Sequence, residues 1–401
     1  MSMNETPVSE RAHIAFFGCR NAGKSSLLNA VTGQKMAIVS DVKGTTTDPV
    51  YKTMELLPAG PVMIIDTPGL DDEGELGMQR VEKALQVLRR TDVAVLVVDS
   101  ERGLSSEDDI ILRQIKERNI RYLVAYNKND IKAVTELKEN EVSVSAVSGD
   151  GIDDLRLKIA ELAKSEEPLF PLVHDLVNPG DVVLLVIPID KAAPKGRLIL
   201  PQQQTIRDLL DYGAIPVMTR DKELPETLKK FEGQVKLVIT DSQAFKEVAA
   251  IVPDEIPLTT FSILFSRYKG EASVQLRGLK ALRDIQDGDK IMIAEGCTHR
   301  RQCGDIGTEK IPNLLRKKTG KEVEISFFSG QEYPDDLEKY RMIIHCGGCM
   351  LNAREMKARI TMAEDRGVPI TNYGMILAYF SGILERSLRV FPQYHAILEE
   401  E

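Results

Sequence analysis

Between about residues 10 and 165 the chain alternates short apolar runs with longer amphipathic stretches. The runs HIAFF at 13–17, PVMIID at 61–66, VAVLVVD at 93–99, RYLVAYN at 121–127 and VSVSA at 142–146 read as strands. KSSLLNAV at 24–31, GMQRVEKALQVLRR at 77–90 and SEDDIILRQIKER at 106–118 lie between them and read as helices. Strand and helix in alternation predict a mostly parallel sheet covered on both faces.

The pattern breaks at SEEPLFPLVHDLVNPGD, residues 165–181, where three prolines and a Pro-Gly pair mark a linker. Alternation resumes with VVLLVIPI at 182–189, a helix over 203–213, and strands at 214–219 and 235–240. A last region holds two strands that each run out in cysteine, at 288–299 and 341–349, with a helix over 352–367 after the second. The pattern therefore predicts three α/β domains, at 1–168, 169–265 and 266–401. No internal repeat, low-complexity tract or heptad run is visible.

A chain of 401 residues with ordinary apolar and charged fractions is a soluble globular protein by composition. Its net charge of −9 argues against nucleic acid as the main partner, because phosphate binding needs a local surplus of Lys and Arg. The N-terminus has no apolar core of the signal-peptide kind, and the longest apolar runs fall far short of a membrane span. The expectation is a cytoplasmic protein with no membrane partner. The five cysteines are then candidates for ligands or catalysts rather than disulfides.

GCRNAGKS at 18–25 fits G-x-x-x-x-G-K-[ST] and lies between a strand and a helix, the context the motif needs. Its glycines let the backbone curl so that the N–H groups of Asn21, Ala22, Gly23, Lys24, Ser25 and Ser26 can face phosphates, and the helix N-terminus adds a favourable dipole. Lys24 would reach the β- and γ-phosphates, and the Ser25 hydroxyl would hold Mg²⁺. Three later strand ends fit the same chemistry. In DTPG, Asp66 can take the metal through water and Gly69 can meet the γ-phosphate. In NKND, Asp130 is suited as a buried carboxylate to guanine N1–H and its amine, Asn127 to the O6/N7 edge, and Lys128 to stacking on the base. In SAVSG, Ser145 and Ala146 can close over the base.

Motifs in this order resemble the Ras-like GTPases, and GTTTD at 44–48 brings the likeness closer to the Era/TrmE branch. The resemblance implies a Ras-like P-loop fold, GTP and GDP as ligands, and Thr46 as the Mg²⁺ ligand that senses the γ-phosphate. The water-orienting glutamine of many GTPases is replaced by Leu70. Glu75, in the acidic run 71–75, is the candidate substitute, and a merely solvated switch loop is the competing reading. Asn21 matches the asparagine through which TrmE-like GTPases bind K⁺, and equally suits a simple turn.

A second chemistry lies near the C-terminus. Cys297-Thr-His299 is followed after 45 residues by His345-Cys346-Gly-Gly-Cys349, both at the ends of strands that can meet at one sheet edge. Clustered thiolates call for a cation. Zinc bound by Cys₃His and an iron–sulfur cluster with one non-cysteine ligand both suit the set, and spacing alone does not decide between them. Cys303 is open to ligand and bystander readings, and Cys19 reads as packing.

C-x-H followed by H-C-x-x-C, in a chain that begins as an Era/TrmE-like GTPase, resembles the HydF family of [FeFe]-hydrogenase maturation GTPases over the whole length. The resemblance implies a [4Fe–4S] cluster on Cys297, Cys346 and Cys349, with His299, His345, a carboxylate or solvent in an exchangeable fourth position. It also implies a homodimer formed by the middle domain. The expected role is a scaffold that works with the radical-SAM maturases HydE and HydG and delivers a di-iron precursor to the hydrogenase apoprotein. The alternative is an RNA- or ribosome-associated GTPase with a structural Cys₃His zinc module.

Overall fold

A computed structural model describes residues 6–33, 48–70, 75–164, 170–189, 198–269, 272–296, 305–330 and 332–399. The chain divides into two compact units, residues 1–166 and 167–401.

The first unit contains β1 (Ala12–Phe17), α1 (Lys24–Thr32), β2 (Val50–Leu56), β3 (Gly60–Asp66), α2 (Glu75–Leu88), β4 (Val93–Asp99), α3 (Ser106–Glu117), β5 (Arg121–Asn127), β6 (Glu141–Ser143) and α4 (Ile152–Ala163). Its sheet runs β2-β3-β1-β4-β5-β6, with β2 antiparallel to β3 and the other pairs parallel. Side chains alternate across a strand, so β1 supplies both faces. Ile14 and Phe16 pack with Leu27, Val97, Leu155 and Ile159, whereas Ala15 and Phe17 pack with Leu88, Leu96, Ile111 and Ile115. Helices cover both faces, which is why β4 is buried along its whole length.

The second unit contains β7 (Val182–Val186), α5 (Leu200–Tyr212), β8 (Ile215–Thr219), α6 (Leu224–Lys230), β9 (Val235–Thr240), α7 (Phe245–Ile251), β10 (Leu258–Thr260), α8 (Phe261–Tyr268) and α9 (Ala272–Gly278). It continues with β11 (Lys290–Glu295), α10 (Ile311–Thr319), β12 (Glu324–Ser329), β13 (Met342–His345), α11 (Ala353–Asp365), β14 (Ile370–Asn372), α12 (Tyr373–Phe380), α13 (Leu384–Leu388) and α14 (Pro392–Glu399). Two parallel four-stranded sheets result, β10-β9-β7-β8 and β12-β11-β13-β14. One core joins them: Val183, Leu185 and Ile239 of the first pack with Phe261 and Leu264 of α8, Leu276 of α9, and Ile291, Ile293 and Ile344 of the second. Burying an aliphatic side chain of this kind contributes about 1.5–3 kcal/mol, so this shared core is what binds the two sheets into one unit.

Among the described residues, no helix is long and apolar enough to cross a membrane.

Candidate functional site

The nucleotide motifs gather at the C-terminal edge of the first sheet, where β1, β3, β4 and β5 run out. β1 ends at Gly18, whose φ is +147° and whose added Cβ would lie 2.3 Å from Val97 O. Only glycine lets the P-loop pass so close to β4. Asn21 is exposed and left-handed at φ +62°, a conformation asparagine tolerates. Gly23 caps α1 at φ +81°, so the free N–H groups of the first helical turn open toward the loop.

The Lys24 ammonium is ion-paired with the Asp66 carboxylate, and Ser25 Oγ donates to the other oxygen of that carboxylate at 3.4 Å. Gly69 approaches the P-loop closely, since a Cβ there would stand 3.3 Å from Arg20 N. The phosphate-binding lysine, the metal-binding serine and the aspartate of DTPG therefore converge. Thr46 lies outside the described residues. Glu75 opens α2, and its side chain is outside them too.

Among the base-recognition residues, Asp130 departs from expectation. Asn127 is buried, its Nδ2 donates to Ala22 O at 2.9 Å, and its Oδ1 accepts from Ala146 N at 3.1 Å. Its amide ties the P-loop to the SAVSG loop, and the tie uses one of the two N–H donors of Nδ2. Asp130, expected as a buried carboxylate, is exposed at the turn after β5. Lys128 has φ +70°, and its ammonium holds Asp99 Oδ2 at 2.6 Å. Burial alone would raise the Asp99 carboxyl. The Lys128 hydrogen bond and charge, with the Glu101 N–H, outweigh it and hold the carboxyl below its ordinary value. Ser145 is fully buried and accepts from Val147 N and Ser148 N, which shapes the loop. Cys19 packs beside α3, with Sγ 3.2 Å from the Oγ of its N-cap Ser105.

In the second unit β11 and β13 are hydrogen-bonded neighbours, with Ala294 opposite His345, so the two cysteine-bearing strand ends do meet at one edge. Cys346 Sγ accepts from Gly296 N at 3.0 Å and from Gly348 N at 3.4 Å. Gly348 is left-handed at φ +59°, which lets the Cys346–Cys349 loop turn back on itself. Burial pushes the Cys346 thiol up, against the pull of those two N–H groups, and the nearby Cys349 and Glu295 push the same way. A sulfur that receives two N–H donors suits a thiolate bound to a cation. Cys349 lies in a turn ahead of α11, whose N-cap is Asn352. Cys297, His299 and Cys303 fall outside the described residues. Among the described residues, no group of three or more His, Cys, Asp or Glu is gathered for a metal.

His345 does not fit the role of fourth ligand. It is fully buried, Nδ1 donates to Cys346 O at 2.7 Å, and Nε2 accepts from Arg359 Nη1 at 3.1 Å. Burial and then the Arg359 charge bring its pKa down to about 3, so the ring is neutral with both nitrogens engaged. Arg359 is itself buried, pairs with Glu355, donates to Gly330 O and covers the Tyr333 ring. His345 belongs to the support beneath the cysteine loop.

Comparison with known families divides the chain in three. Residues 13–128 match the family described as 50S ribosome-binding GTPase, residues 172–270 the hydrogen maturase F dimerization domain, and residues 273–390 the hydrogen maturase F tetramerization domain. The chain belongs to the hydrogen maturase F family. Its first unit is a GTPase domain of Ras-like fold, followed by further α/β sheets. Among curated relatives, the tRNA modification GTPase MnmE of Chromobacterium violaceum is 38% identical over 159 residues, 38% of this chain and 35% of that protein. GTPase Der of Kosmotoga olearia is 30% identical over 187 residues, 41% of this chain and 42% of that protein. The chain thus spans well under half the length of these relatives. A solved Era of Aquifex aeolicus matches with 23% identity over 56% of this chain and 99% of its own, at a TM-score of 0.35.

The nucleotide site was legible from motif spacing. Three contributors around the cysteines were not. Gly296 acts through its backbone, and Lys269 and Arg359 carry no motif. Lys269 donates to Leu351 O at 3.1 Å and also to Gly348 O.

Proposed function

We propose that this protein is a GTP-hydrolysing scaffold that carries a [4Fe–4S] cluster and delivers a di-iron precursor in the maturation of [FeFe]-hydrogenase. The observation that carries this reading is the Cys346–Cys349 loop with its sulfur hydrogen-bonded to Gly296, the residue before Cys297, in a chain of the hydrogen maturase F family.

At the nucleotide site Lys24 leaves Asp66 for the phosphates of MgGTP, and Ser25 and Thr46 hold the Mg²⁺. Glu75 is the proposed group that orients water in place of a glutamine, and Asn21 the proposed K⁺ ligand. Asn127, Lys128, Asp130, Ser145 and Ala146 form the guanine end, with Asn127 acting by holding the two loops together. In the second unit Cys297, Cys346 and Cys349 hold the cluster. Its fourth position falls to His299, a carboxylate or solvent, since His345 is committed elsewhere. The cluster supplies an iron with an exchangeable ligand, where a precursor can attach.

In this reading residues 169–265 form a homodimer, the domain from 266 onward carries the cluster, and the GTPase domain over 1–168 times the exchange of cargo. The partners are HydE, HydG and the hydrogenase apoprotein, in the cytoplasm, without nucleic acid or membrane.

Oxygen-free purification with iron, sulfide and zinc analysis and EPR, on wild type and Cys346→Ser, tests this. About four irons per chain and a reducible signal lost in the variant support it. Stoichiometric zinc without sulfide, and no signal after reconstitution, overturn it in favour of a GTPase with a zinc module.

A further inference from the structure

The loop that carries Cys346 and Cys349 is not held by its own strand alone. It faces a narrow cleft lined by Ser266, Lys269, Gln275, Cys346, Gly347 and Asn372. Ser266 and Lys269, from α8 and its C-cap, lie in the stretch that matches the dimerization domain, 172–270. The cysteines lie in the stretch that matches the tetramerization domain, 273–390.

Lys269 makes the link. Its ammonium donates to Gly348 O and, at 3.1 Å, to Leu351 O. Gly348 O also accepts from Leu351 N at 3.0 Å, so one carbonyl closes the turn and receives the lysine as well. Two consecutive glycines, Gly347 and Gly348, make this loop costly to order. An ammonium that grips two of its carbonyls removes much of that freedom before any metal arrives. It also sets a positive charge beside a loop whose sulfurs must become anionic. Lys269 is half-buried and its helix end is anchored, since Lys269 N donates to Phe265 O at 3.0 Å.

We propose that Lys269 is a positioning residue for the metal site: it fixes the Cys346–Cys349 loop through the Gly348 and Leu351 carbonyls, so that the C-cap of α8 helps to build the ligand set. This rests on the metal-binding reading above, and goes beyond it in assigning a residue that lies outside the cysteine motifs, at the end of the stretch matching the dimerization family.

The test is a Co²⁺ titration of the metal-free full-length chain, read by thiolate-to-cobalt charge-transfer absorption. Wild type, Lys269→Met, Lys269→Arg and Cys346→Ser are compared. Loss of this kind of support lowers metal affinity about 10–100-fold. Lys269→Met is expected to fall in that range, Lys269→Arg to recover most of it, and GTP turnover to be unchanged in both. In iron-reconstituted protein Lys269→Met should also move the reduction potential to more negative values, because the reduced site has lost a neighbouring cation. Equal cobalt affinity and equal potential in wild type and Lys269→Met would overturn the assignment. A wild type without a charge-transfer band that depends on Cys346 would instead overturn the metal reading itself. If Lys269→Met does not fold, Lys269→Gln, which drops the charge and keeps a donor, carries the same comparison.

Discussion

The side-chain amide of Asn127 donates to the carbonyl oxygen of Ala22 across 2.9 Å, joining the end of β5 to the P-loop. The same amide accepts from Ala146 N, so a single buried side chain sets the spacing of two nucleotide-binding loops. Gly23 must be a glycine partly for this reason, since a Cβ there would stand 2.2 Å from Asn127 Nδ2. Truncation to Asn127→Ala takes this partner from the buried Ala22 carbonyl, at a cost of about 1–3 kcal/mol, and from the half-buried Ala146 N–H. Fluorescent-nucleotide titration should show GDP and GTP affinity falling together by about tenfold or more. A loss confined to discrimination between guanine and adenine nucleotides would mean that Asn127 acts on the base and not on the loops.

Lys24 and Asp66 form an ion pair whose side chains are 10% and 15% exposed. When MgGTP binds, that ammonium is needed on the phosphates, where it stabilises charge that develops in the transition state. Lys24→Ala should lower GTP turnover by about 10²-fold or more at saturating nucleotide. Steady-state phosphate release checks it. Thermal unfolding in the absence of nucleotide should also fall, because the largely buried Asp66 carboxylate loses its counter-charge.

How much of this was legible in the sequence differs between the two ends of the chain. The phosphate loop and the strand-end motifs are local: Gly18, Asp66 and Asn127 each sit where a strand stops, Lys24 opens the helix after the first of them, and the apolar runs mark those stops. What Asn127 does was not legible, because its partners, Ala22 and Ala146, act through backbone atoms. β2 was missed because it is an edge strand with mostly half-exposed or exposed residues, VYKTMEL, and carries no apolar run. α8 and β14 were missed because they are short and pack on several sides, so no periodicity separates them from their surroundings. The C-x-x-C spacing gave the cysteine loop, and nothing in the spacing of His345 could show that Arg359, fourteen residues on, would occupy its ring.

Gly296 stands where β11 meets the cysteine loop. An added Cβ would come within 2.7 Å of Leu351 Cγ, closer than any ordinary contact. Gly296→Ala therefore displaces the Leu351 side chain or the end of β11, and either disturbs the loop around the 3.0 Å contact from the Gly296 N–H to Cys346 Sγ. The expected outcome is about tenfold weaker metal binding with GTP turnover unchanged. Cobalt titration and phosphate release on one preparation measure both.

Arg359 and Glu355 are 1% and 3% exposed, so their pairing lies inside the core of the second unit. Removing one partner of a buried pair costs about 3–5 kcal/mol, because the charge left behind has lost its counter-charge. Arg359→Met should lower the unfolding midpoint of the second unit, whereas Glu355→Met/Arg359→Met should recover the part due to the unpaired Glu355 carboxylate but not the part due to Gly330 O and His345 Nε2, which lose their donors in both. Denaturant unfolding of the full chain, with the first unit followed by its response to GDP, separates the two transitions. A single variant as stable as wild type would remove Arg359 from the support of the cysteine loop.

His13 gives the first unit a pH dependence whose sign is fixed. The ring is 5% exposed on β1, with Nδ1 3.7 Å from Asp92 and the Arg90 charge nearby. Burial, and then Arg90, bring its pKa from 6.5 down to about 4. Between those values the unfolded chain takes up a proton that the folded one refuses, so stability falls as pH drops through the window and is fully present above it. At about 1.4 kcal/mol for each pH unit crossed, the whole loss is about 3 kcal/mol. His13→Gln cannot charge and should flatten this slope. Thermal scans of both proteins from pH 7.5 to pH 4.5, followed on the transition that GDP raises, provide the measurement. If the two proteins lose stability in parallel, the acid sensitivity resides in other groups.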